Sequence, residues 1–104
     1  MATAVQHPVS KFLQDPELFR ERIYVGGHWI PAATGATIPV DDPATGEVIG
    51  SVPRAGATET RLAIERANAA WPEWRSRTGK ERAVILRRWF DLLMANLEDL
   101  ARLM

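Results

Sequence analysis

Thr78-Gly79-Lys80-Glu81-Arg82-Ala83-Val84-Ile85-Leu86-Arg87-Arg88-Trp89-Phe90 is the stretch that decides how the chain is read. Thr78 followed three residues later by Glu81 has the spacing of a capping box. In that motif a hydroxyl and a carboxylate each take one backbone N–H that a helix start leaves open. Behind the box, apolar residues recur every three or four positions: Ile85, Leu86, Trp89, Phe90, Leu93, Leu97, Leu100 and Met104. This spacing predicts one amphipathic helix over about 79–104. Glu98 and Arg102 fall four apart and are expected to pair, a contact worth about 0.3–0.5 kcal/mol. The stripe still runs at Met104 with neither a Gly cap nor a Pro stop, a pattern expected of a segment cut from a larger unit.

Working upstream, Thr58 is the expected cap of an earlier helix over about 58–71, with Ile64, Ala67, Trp71 and Trp74 on one face. Pro72 disfavours helical backbone at Trp71 and sets the expected end there. Residues 22–53 read as short strands in an antiparallel meander. Gly26-Gly27 between Ile23, Val25 and Trp29, Ile30 is a tight hairpin signal. Two Thr-Gly turns, at Thr34-Gly35 and Thr45-Gly46, each precede a β-branched run. Residues 1–20 form an arm. Asp15-Pro16 predicts a cap and first helical position for one or two turns, with the first ten residues loose.

Composition narrows the function. The chain has 104 residues, enough for one small domain at most. Thirteen basic residues balance thirteen acidic ones, unlike a strongly basic nucleic-acid binder. The absence of cysteine excludes a thiol nucleophile, a zinc–thiolate site and a disulfide within this chain. The longest apolar runs, such as Leu92-Leu93-Met94-Ala95, fall far short of the roughly 20 residues that span a bilayer. A soluble, cytoplasmic chain is expected.

No residue constellation carries chemistry. His7 and His28 lack a triad or metal-ligand pattern. Asp41-Asp42 before Pro43 is turn chemistry, because neighbours on a strand point to opposite faces. Gly79-Lys80 lacks the first glycine of a phosphate loop and has Glu81 in place of Ser or Thr. Arg75, Arg77, Lys80, Arg82, Arg87 and Arg88 stand against one acid, Glu81, between Trp74 and Trp89. They suit a solvated face, or acidic groups on a partner, better than nucleic acid. No catalytic, cofactor-binding or metal residue is therefore assigned.

The pieces, in order, resemble a known family. They are Gly26-Gly27-His28-Trp29, then Asp42-Pro43-Ala44-Thr45-Gly46-Glu47-Val48-Ile49-Gly50, then Ala67-Asn68-Ala69-Ala70-Trp71. Trp74 to Phe90 and Leu97 to Met104 follow. This order resembles the N-terminal part of the NAD(P)-dependent aldehyde dehydrogenases. Leu18-Phe19-Arg20 and Gly56-Ala57-Thr58-Glu59-Thr60-Arg61 resemble their succinate-semialdehyde dehydrogenase branch. The resemblance implies an α+β fragment of the aldehyde-dehydrogenase-like α/β fold, a short antiparallel meander followed by two amphipathic helices. It also implies that residues 21–104 are part of a coenzyme-binding domain. Family enzymes attack the aldehyde with a cysteine thiolate, form a thioacyl intermediate and pass hydride to NAD or NADP. Those motifs lie downstream of the matched region, so this chain alone is expected to be inactive and to bind no cofactor. Its expected partners are the remainder of the enzyme or another subunit, in a homo-oligomer, with no nucleic acid and no membrane. The alternative is a non-catalytic module that dimerises or docks through the apolar face of helix 79–104.

Overall fold

A computed structural model describes residues 8–104; His7 lies outside them. Two short 3-10 turns come first, Pro8–Phe12 and Pro16–Leu18. Asp15 caps the second: its carboxylate accepts from Glu17 N at 3.1 Å, with Pro16 at the first position. The arm therefore acquires structure from Pro8 onward, earlier than its composition suggests.

Four strands follow in two separate antiparallel pairs. β1 (Ile23–Val25) pairs β2 (His28–Ile30) across Gly26-Gly27. Both glycines have positive φ, 58° and 83°, as a two-residue turn matching the strand twist requires. β3 (Thr37–Asp41) pairs β4 (Val48–Pro53), with an irregularity between Val40 and Asp41. The intervening turn is built by Asp42, whose carboxylate accepts from Ala44 N at 2.8 Å. The expected meander is thus two hairpins that do not join into one sheet.

α1 (Ala57–Ser76) starts one residue before Thr58 and runs past Pro72. Its cap is Gly56, not Thr58. Glu59 reaches back to accept from Gly56 N at 2.7 Å, the half of a capping box that needs no side chain at the cap. Past Pro72 the last turn is secured by Ser76 Oγ donating to Glu73 O at 2.7 Å and by the Arg77–Glu73 ion pair at 2.9 Å. α2 (Gly79–Ala95) begins at the expected box: Glu81 N donates to Thr78 Oγ1 and Thr78 N to Glu81 Oε2, at 3.2 and 3.0 Å.

The long helix breaks at Asn96, leaving α3 (Leu97–Leu103) separate. Asn96 Nδ2 donates to Leu92 O at 2.9 Å, which closes α2 with a side chain where a glycine would otherwise be sought. Arg102 does not take Glu98. It lies 3.8 Å from Asp99 and donates to Phe12 O at 2.8 Å, because the arm crosses α3 on that side.

The architecture is open. The radius of gyration is 17.0 Å, against about 13 Å for a compact chain of this length. The accessible surface is 8780 Å², against about 5,800 Å² for a compact monomer of this mass. Among the described residues the buried hydrophobic side chains are Leu13, Val25 and Ala32. Long-range ties instead run through carboxylates. Glu59 Oε1 accepts from Ala33 N, linking the segment after β2 to the start of α1. Asp99 accepts from Gln14 N and Asp15 N, at 2.9 and 2.8 Å, pinning the arm to α3. Glu21 accepts from Ser51 N at 2.8 Å, fastening the arm's end to β4.

These bonds favour the charged form. The N–H groups of Ala33 and Gly56 hold the Glu59 carboxyl below its ordinary pKa. Those of Gln14 and Asp15 do the same for Asp99, helped by Arg102. A lowered folded-state pKa contributes stability that is complete above the ordinary carboxylate range and is lost as pH falls through the lowered value. Acidification is therefore expected to lower amide-exchange protection at Ala33, Gln14 and Asp15 before α2 loses helicity. Glu59→Gln should lower protection at Ala33 several-fold at neutral pH; unchanged protection there would show that the carboxylate carries no part of the tie.

Candidate interaction surface

The feature with functional content is a surface. α2 turns Ile85, Leu86, Trp89 and Leu93 outward at 41, 51, 61 and 43% exposure. An isolated apolar residue at the surface is ordinary, but a contiguous helical stripe marks an interface. Trp71 and Ile64 of α1 are likewise exposed. The sequence assigns these side chains to one face each; in the structure the α2 stripe stays exposed, while Ala67 of the α1 face lies beside Tyr24 and Val25 of β1.

The basic residues around this surface are unevenly paired. Arg77 is held by Glu73, and Arg87 lies 3.6 Å from Asp91 with its guanidinium 5.0 Å from the Phe90 ring centre. Arg82 is half-buried, and its Nε is shielded from water without a hydrogen-bond acceptor. Arg20 lies 5.1 Å from the Trp29 ring centre, beside the cross-strand Tyr24–Trp29 pair. His28 opens β2 and is exposed. Asp41 ends β3 while Asp42 turns the chain, so the two acids do not converge. Among the described residues no group of three or more His, Cys, Asp or Glu side chains is placed to hold a metal. No described helix is long and apolar enough to cross a membrane.

The usual cradle of a dinucleotide is a strand leading by a glycine-rich turn into a helix, within a parallel sheet. Here every described strand pairing is antiparallel. The starts of α1 and α2, where backbone N–H groups favour an anion, already hold carboxylates, Glu59 on Gly56 N and Glu81 on Thr78 N.

The buried carboxylates Glu59 and Asp99 were missed in the sequence. Glu59 had one local signal, its place three residues after Gly56. Asp99 had none beyond lying in the first turn of α3, since its partners are 84 and 85 residues away.

The sequence model of the aldehyde dehydrogenase family matches residues 29–104. The chain belongs to that family. It is 61% identical over 92 residues to a glutarate-semialdehyde dehydrogenase of Pseudomonas aeruginosa, covering 88% of this chain and 19% of that protein. It is 53% identical, with the same coverage, to an NADP(+) succinate-semialdehyde dehydrogenase of Escherichia coli. The crystal structure of succinate-semialdehyde dehydrogenase from Burkholderia pseudomallei superposes with a TM-score of 0.83 at 58% identity, covering 86% of this chain and 19% of that one. The chain thus spans about a fifth of the length of the curated relatives it matches, and corresponds to the N-terminal part of the aldehyde dehydrogenase fold.

Because the α2 stripe is exposed, its side chains do not hold the chain together. Leu86→Glu combined with Leu93→Glu is expected to leave far-UV circular dichroism unchanged while reducing binding of a hydrophobic fluorescent dye several-fold. A parallel loss of helicity would show that the stripe is packed.

Proposed function

We propose that this chain is the N-terminal structural part of an NAD(P)-dependent dehydrogenase that oxidises a dicarboxylic semialdehyde to the diacid, and that it turns over no substrate alone. The observation that carries this reading is the identity of 61 and 53% over 92 residues to the two semialdehyde dehydrogenases. Oxidation through a thioacyl intermediate needs a thiolate, and the chain contains no cysteine. The nucleophile and the dinucleotide site then belong to the rest of the fold. Within it, residues 21–104 form part of the coenzyme-binding domain and residues 1–20 an arm.

The substrate class follows from the same comparison. Succinate and glutarate semialdehydes share a terminal carboxylate and differ by one methylene. One methylene shifts a pocket's preference by only about 1–3 kcal/mol, so both belong to the proposed class. The cofactor is NAD or NADP, the second being named for the Escherichia coli relative. The assembled enzyme is a cytoplasmic homo-oligomer in this reading, with access to the nicotinamide pool and no role for nucleic acid or membrane. A second reading, a non-catalytic module that docks or dimerises through α2, is favoured by the exposed stripe. Light scattering separates the two, since a dimer of the isolated chain would support the module.

Two measurements test the proposal. The purified chain, given either semialdehyde with NAD or NADP, is expected to give no reduced nicotinamide above a blank; turnover would refute it. Exchanging the matched segment of the Escherichia coli relative for this chain's residues is expected to yield an assembled, active chimera. An insoluble or unassembled chimera would overturn the structural role.

A further inference from the structure

Arg82 occupies an unusual position on α2. Residues three, four, seven and eleven places along a helix share its face. For Arg82 these are Ile85, Leu86, Trp89 and Leu93, the exposed apolar stripe itself. A cation therefore stands in the apolar face, already half-buried, with its Nε shielded and without an acceptor. The adjacent acid in sequence, Glu81, is committed to Thr78 N, while Glu73 pairs with Arg77 and Asp91 with Arg87.

Covering the stripe with a purely apolar surface would strip water from an unpaired guanidinium, which is strongly unfavourable. A second copy of this chain offers no remedy. The face formed by Arg82, Ile85, Leu86, Trp89 and Leu93 carries no carboxylate, so the same face of a second copy, packed by a two-fold axis, has no acid to seat on Arg82. We propose that the α2 face is covered by an apolar surface of the dehydrogenase fold outside this segment, and that this surface carries one carboxylate seated on the Arg82 guanidinium. Planar, multidentate donors make arginine suited to such a seat. This rests on the reading that the chain is part of a larger dehydrogenase, of which it spans about a fifth.

The test uses the full-length chimera described above, carrying Arg82→Met, Arg82→Lys or Arg88→Met. Methionine keeps the length and apolar stem of arginine, so the sign of its effect is diagnostic. With a facing carboxylate, Arg82→Met strands a buried anion and should shorten the thermal-inactivation half-life by about tenfold or more. Arg82→Lys should shorten it less, and Arg88→Met, off the stripe, should leave it unchanged. The gap between the parent and Arg82→Met should close as pH falls through the carboxylate range, because pairing lowers the acid's folded-state pKa and its contribution vanishes on protonation. An equal or longer half-life for Arg82→Met overturns the inference while leaving the functional reading intact. A gap independent of pH also overturns it, assigning Arg82 a backbone carbonyl instead. Failure of Arg82→Met to assemble, with Arg82→Lys and Arg88→Met assembling, supports it; failure of all three overturns it. A parent chimera that does not assemble overturns both readings together.

Discussion

Carboxylates that accept backbone N–H groups from distant segments hold this structure together. Glu59 binds Ala33 and Gly56, Asp99 binds Gln14 and Asp15, and Glu21 binds Ser51. Hydrogen bonds to an ionised acceptor are roughly twice as strong as neutral ones. They are also directional, so they set where each hairpin and the arm lie against the helices. Leu13, Val25 and Ala32 are the buried hydrophobic residues among those described, and Ile23, Ile49, Leu62 and Leu100 are half-buried, so these directional ties act beside a modest apolar contribution.

That division of labour leaves the apolar surface outside. Accessible surface exceeds that of a compact monomer by about 3,000 Å². The chain belongs to the aldehyde dehydrogenase family and spans about a fifth of the relatives it matches. Polar ties shape the segment from within, and its apolar helix face stays exposed. Arg82 adds a constraint, since whatever covers that face must satisfy a cation as well as fit a stripe.

Much of the local structure was legible because its causes are local. Thr78 and Glu81 form their box across three residues, Asp15 caps its turn two residues away, and Asp42 closes its turn onto Ala44. The misreadings have equally specific causes. Thr58 outranks Gly56 as a cap by side-chain chemistry, yet Glu59 needs only a backbone N–H to bind. Pro72 lacks one donor, but Ser76 and Arg77 secure the following turn. Asn96 lies inside a periodic stripe and reads as an ordinary polar position until its amide caps Leu92. Glu98 satisfies the spacing rule for Arg102, whereas Arg102 turns to Phe12 O on the arm.

The sequence by itself determined the hairpin turns, the start of α2, the apolar spacing of its stripe and the likeness to aldehyde dehydrogenases. Each depends on residues within a few positions, or on the order of short motifs. It also determined that no thiolate chemistry can arise in this chain, because a missing cysteine is missing in every conformation. Only the tertiary structure decided which carboxylates are buried, where the long helix breaks, and that the stripe faces outward with Arg82 at its N-terminal end. Those outcomes depend on which groups meet across tens of residues, and hydrogen-bond partners 84 and 85 positions away leave no local pattern to read.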